Sequence, residues 1–150
     1  MGDLLDVQSL GVKALQAELS KLPQYEPATE NHFHGGMYCR EVFRHAGVLV
    51  LGKVHKKEHF YMIAQGTVLI TTDDGAKRVT GPALLLSMPG TKRAVYAETD
   101  ALCFTFHRTD ATTVDAAEVD LVEDEPDCLY AAGNKVKPGV LRHEHQEVLL

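Results

Sequence analysis

Between residues 37 and 107 the chain breaks into short strand-like runs separated by turn signals, with no helical period among them. The runs cover 37–43, 48–54, 59–64, 67–72, 77–80, 83–88, 93–98 and 101–107. Gly35-Gly36 opens the first, Gln65-Gly66 closes the third, and Pro89-Gly90 ends the sixth. Asp73-Asp74-Gly75 is a strong hairpin signal, and Thr99-Asp100 reads as a two-residue turn between the last two runs. Strands this short, joined without helices, close into an antiparallel sandwich or barrel. With 45% hydrophobic residues the chain has enough apolar material for one core.

The flanks differ. Leu10, Val12, Leu15, Leu19 and Leu22 fall mostly at three- and four-residue steps, which predicts a helix stopped by Pro23. Its apolar face is a flap on the core or a dimer contact. Residues 25–31 read as a linker. Beyond Arg108 the chain turns acidic through Asp115, Glu118, Asp120, Glu123 and Glu125, the pattern of a solvated, partly helical tail. Residues 135–150 read as an extended arm or a segment that docks on a neighbouring subunit. The expected division is an N-terminal helix and linker over 1–30, a β-barrel over 31–110, and an acidic segment with a C-terminal arm over 111–150.

Charge narrows the function. Fifteen Lys+Arg stand against twenty-one Asp+Glu, a net charge of −6, which argues against a nucleic-acid-coating role. No apolar run approaches the roughly 18–20 residues of a membrane span. The acidic start (Asp3, Asp6) does not read as a signal peptide. Cys39, Cys103 and Cys128 are odd in number and match no CxxC spacing, so free thiols in the cytoplasm are expected.

The chemistry concentrates in residues 47–66. His55 ends one run and His59 begins the next, across Lys56-Lys57-Glu58. Strands pair about 4.8 Å apart, so imidazoles at facing strand ends reach one metal ion. Side chains alternate along a strand. If His59 faces inward, so do Tyr61 and Ile63, while Phe60 and Met62 face out, and Lys53 shares the face of His55. One concave face would then hold Lys53, His55, His59 and Tyr61. His107, ending the last run, is the candidate third ligand or a cap on the barrel rim. His32 and His34 form an H-x-H pair assigned to a loop, and His143 and His145 repeat it in the tail. Arg93 either binds a small anion in the cup or pairs with a buried acid such as Glu41. Of the neighbours Arg40 and Glu41, only one can look inward.

These residues resemble the first motif of the cupin superfamily, G-x5-H-x-H-x3-4-E-x6-G. Gly47 matches its opening glycine, His55 its second histidine and Gly66 its closing glycine; Lys53 stands at the first histidine and His59 at the glutamate. Gly81, Pro89 and Gly90 frame the second motif, where Arg93 replaces the histidine and Ala97 the asparagine. The longer string, with Tyr38-Cys39-Arg40-Glu41 and His107, is similar to small single-domain cupin-like proteins of tailed bacteriophages. The resemblance implies a cupin-like jelly roll, all-β, and a homodimer paired through sheet edges. It also implies a divalent transition metal (Zn, Fe, Ni or Cu) on His55, His59 and His107. Lys53, Tyr61 and Arg93 would take a small anionic ligand. Three functions follow as expectations: a non-catalytic binder of metal or small anion, a cupin metalloenzyme of dioxygenase, isomerase or epimerase type, and a dimeric structural or virion-associated module.

Overall fold

The computed structural model describes residues 15–72 and 75–142. Two antiparallel sheets face each other. The first has the order β1-β2-β9-β4-β7, from β1 (Ala28–His34), β2 (Met37–Arg44), β4 (His59–Gln65), β7 (Ala83–Ser87) and β9 (Ala101–Arg108). The second has the order β3-β8-β5-β6, from β3 (Leu49–Leu51), β5 (Thr67–Thr72), β6 (Gly75–Thr80) and β8 (Ala94–Ala97). A small hairpin of β10 (Tyr130–Ala131) and β11 (Lys135–Val136) follows α1 (Val114–Leu121).

Alternation along the strands builds the core. Tyr61 and Ile63 of β4, Val68 and Ile70 of β5, Val95 of β8 and Cys103 of β9 are buried between the sheets. The outward set of β4, Phe60 and Met62, is more exposed, as expected from the period-two pattern. The β5–β6 hairpin forms where Asp73-Asp74-Gly75 indicates, with Thr72 opposite Gly75.

Four expectations change. Residues 25–31 are not all linker and His32 and His34 are not in a loop: β1 pairs with β2 from Ala28↔Phe43 to His34↔Met37. Its burial alternates exposed and partly buried, as on an edge strand with little apolar content to mark it. Thr99-Asp100 does not close a hairpin, because β8 and β9 belong to different sheets; it is a corner between them. The segment 135–142 does not extend away: Val136 N–H donates to Glu26 (2.9 Å) and Arg142 pairs with the same carboxylate (3.0 Å). The acidic segment is not a solvated tail either. Ala117 and Leu121 are buried beside Tyr38, and Thr113 caps the helix by accepting from Ala116 N–H.

Residues 15–19 are helical, and Leu15 packs on Leu51 and Ala94, so this stretch is a flap on the core. Leu10, Val12, His143 and His145 lie outside the described residues. Among the described residues no helix is long and apolar enough to cross a membrane.

Candidate metal and anion centre

The site sits inside one end of the barrel. His59 enters from the first residue of β4, and His107 from the penultimate residue of β9. His55 follows β3 and is fixed by its backbone, which bridges Val122 and donates to the Thr91 carbonyl at 3.1 Å. The three rings converge. Centroids are 4.3 Å apart for His55–His59, 4.5 Å for His59–His107 and 5.7 Å for His55–His107. One ring nitrogen from each lies within 4.8 Å of the others.

The surroundings hold these imidazoles neutral. Burial pushes His55 down to about 3, helped by the nearby His59 and Arg40. Burial also lowers His59 to about 4 and His107 to about 2, with Arg40 adding to each. A neutral imidazole offers a lone pair, which is the metal-binding form. The Lys57 carbonyl lies 3.4 Å from His59 Nδ1, and Thr105 Oγ1 2.8 Å from His107 Nε2. Such contacts orient ligand rings. The donor set therefore fits a divalent transition metal.

The same shifts set an acid limit for the metal-free chain. Below the ordinary histidine value of about 6.5, the unfolded chain takes up protons that the folded one refuses. Stability present above that pH is lost as pH falls toward 4. Thermal melts of the metal-free chain are expected to fall steeply across that window, and less steeply for His59→Gln. Parallel pH profiles for the two chains would count against this assignment.

A cavity of about 80 Å³ adjoins the histidines. Lys53, His55, His59, Tyr61 and Arg93 all line it, as do Arg40 and Arg44. His107 does not line this cavity; it lines a neighbouring groove, to which His59 also contributes. Of Arg40 and Glu41, it is Arg40 that looks inward; Arg44 is the lining cation that the sequence did not bring forward. The signal was present: Tyr38 and Val42 are buried on β2, and Arg40 and Arg44 share their parity.

Charges in the wall are unequal. Glu118 of α1 reaches in, bonding Lys53 Nζ at 3.0 Å and lying 3.7 Å from Arg40, and its side chain is only 12% exposed. Further ion pairs strap the acidic segment across the rim: Lys57–Asp120 at 2.9 Å and Lys92–Glu125 at 2.6 Å. Arg93 does not pair with Glu41, which faces His32 at 3.2 Å. Arg93 instead donates to Ser87 Oγ (3.0 Å), the Thr71 carbonyl (2.6 Å) and the Leu86 carbonyl (3.4 Å), which ties β5 to β7. The Tyr61 hydroxyl accepts from Arg44 at 3.0 Å, and burial pushes it up to about 12, so it stays a phenol.

No protein-family model matches the chain, and no curated protein matches it in sequence. Solved structures do match it in shape. A cupin superfamily protein from Desulfitobacterium hafniense aligns at TM-score 0.50 and 16% identity, over 63% of this chain and 87% of that one. KdgF from Halomonas sp. aligns at 0.50 and 12%, over 57% and 82%. A salicylate 1,2-dioxygenase from Pseudaminobacter salicylatoxidans aligns at 0.53 and 13%, over 71% of this chain but 34% of that one, so this chain spans about a third of its length. At such identities the likeness speaks for the fold. Strand order, antiparallel pairing and these likenesses together give the chain a cupin-like jelly-roll fold.

Proposed function

We propose that this is a metal-binding cupin whose cup takes a small anion beside the metal. His55, His59 and His107 would hold one divalent ion of the Zn, Fe, Ni or Cu type, and Lys53, Tyr61 and Arg93 would face the anion. The observation that carries the reading is the convergence of three neutral imidazoles, His59 and His107 buried and His55 partly so. A metal held by three protein ligands keeps coordination positions open and supplies Lewis-acid or, for iron and copper, redox chemistry. That openness supports screening the iron-loaded chain for dioxygenase activity as well as binding. The test is metal analysis of untagged protein, purified without chelator and after reconstitution. About one transition metal per chain is expected; none after reconstitution overturns the reading.

We further propose a homodimer, from a surface feature rather than the sheet edges. Phe60 lies opposite Leu86 on one side and Phe106 on the other, and Met62 lies opposite Leu84. Phe60, Leu84, Leu86 and Phe106 are all exposed, forming an apolar stripe across β9, β4 and β7. Monomers rarely leave such a stripe open, and a two-fold contact covers it with its own copy. Light scattering is expected to give a dimer that Phe60→Lys with Leu86→Lys converts to monomer. A monomeric native chain would sink this proposal.

A further inference from the structure

Arg44 is the last residue of β2 and looks into the barrel, lining the cavity beside Tyr61 and Cys103. Its Nη2 donates to the Tyr61 hydroxyl at 3.0 Å. Its Nε is buried and has no hydrogen-bond partner. Among the described residues no carboxylate lies within ion-pair distance of Arg44: the carboxylate in the cavity wall, Glu118, is engaged by Lys53 and Arg40. Among the described residues Arg44 thus lines this wall without an acid of its own, while Lys53 and Arg40 share Glu118.

This imbalance has a physical consequence. A guanidinium cannot shed its proton. A buried charge without a counter-charge, and a buried N–H without an acceptor, each cost free energy that a native barrel does not retain without reason. The unpaired charge is relieved by one incoming oxyanion. The shape of the space indicates which. A cavity of about 80 Å³ has room for only a few water-sized groups, since each needs about 10–15 Å³. Part of its wall is apolar, from Val42, Val50, Leu51 and Val95. A small charged head with a short hydrocarbon body suits that wall better than a tetrahedral inorganic ion does.

We infer that Arg44 is the anchor of a small-carboxylate site in the floor of the cup, taking an organic acid of two to four carbons on the part of its guanidinium that lines the cavity. The inference deepens the anion half of the reading above. It identifies the ligand class and adds a residue outside the Lys53, Tyr61 and Arg93 set. It does not depend on the metal.

The experiment uses the full chain stripped of metal with chelator, at constant ionic strength. Calorimetry measures binding of acetate, propionate and malonate, with phosphate and sulfate as inorganic comparisons. Arg44→Met and Arg44→Lys are measured alongside, with circular dichroism and thermal melts as controls for folding. The expected result is saturable carboxylate binding by the native chain, weakened at least 10-fold in both variants. Phosphate and sulfate are expected to bind at least 10-fold more weakly than the best carboxylate. Without ligand, Arg44→Met is expected to melt at or above the native temperature, because it removes an uncompensated buried charge. No carboxylate binding by the native chain overturns the inference. So does equal binding in a folded Arg44→Met or Arg44→Lys chain, equal binding of phosphate, or a clear loss of thermal stability in ligand-free Arg44→Met, the mark of a purely structural arginine. Zinc stoichiometry of Arg44→Met is expected to equal that of the native chain. That readout separates failure here from failure of the histidine site.

Discussion

The His55→Ala/His59→Ala chain is expected to lose its transition metal and keep its barrel. The two rings are the closest pair of the cluster, at 4.3 Å between centroids. Without them His107 alone remains, and one imidazole holds no divalent ion against a chelator. Loss of an outer-sphere partner alone weakens metal sites by about 10–100-fold, so removing two ligands should exceed roughly 100-fold. The fold should survive for a separate reason. The rings stand at one end of the barrel, away from the packed centre at Ile63, Val68 and Ile70. The double variant should therefore show native circular dichroism, about zero metal per chain, and a smaller loss of stability between pH 6.5 and 4. Stoichiometric metal retained in the variant would remove these histidines as the site.

Gly66→Ala is the second large effect, and it concerns stability alone. Gly66 turns the chain from β4 in one sheet to β5 in the other, at φ +89°. A Cβ there would lie 2.2 Å from the Asp100 carbonyl oxygen and 2.8 Å from Ala101 Cα. Both are backbone atoms of the other inter-sheet corner, so neither can swing aside. A non-glycine residue held at such a φ costs about 1–3 kcal/mol, and overpacking adds about 1–3 kcal/mol. The sum, roughly 2–6 kcal/mol, is a large fraction of a domain's stability. At about 2–4 °C per kcal/mol for a chain of this size, the melting temperature should fall on the order of 10 °C. Gly47 is the internal control. Its φ is +86°, but no atom lies within 4 Å of a built Cβ. Gly47→Ala should cost only the conformational strain, about 1–3 kcal/mol. Urea melts yielding equal losses for the two would show that the crowding at Gly66 relaxes.

The same two glycines show how much could be read early. Both were placed by motif spacing, and both do require positive φ. Period-two alternation correctly set Tyr61 and Ile63 inward and Phe60 outward. It also brought Lys53, His55, His59 and Tyr61 to one cavity. His107 joined His55 and His59 because antiparallel pairing sets β9 beside β4, with Phe106 opposite Phe60. Where the expectation failed, the local signal was absent or ambiguous. The edge strand β1 carries Thr29, Glu30, Asn31 and His32, a polar run that resembles a loop as much as a strand. Arg44 could have been found by parity, but its lack of a counter-charge depends on every neighbour that the closed barrel brings near it.

The acidic segment marks the boundary most clearly. Glu118 is 65 residues from Lys53, and Glu125 is 33 from Lys92. Composition made this stretch look like a solvated tail, because a run of acids has no local reason to fold inward. The amino-acid order by itself marked the strands from β2 to β9 and the alternation of their side chains, since both follow from neighbours a few positions away. Which cations meet an acid, that Arg44 meets none among the described residues, and which histidines converge were decided only by the tertiary structure. Electrostatic pairing depends on distance in space, and closure of the two sheets sets those distances.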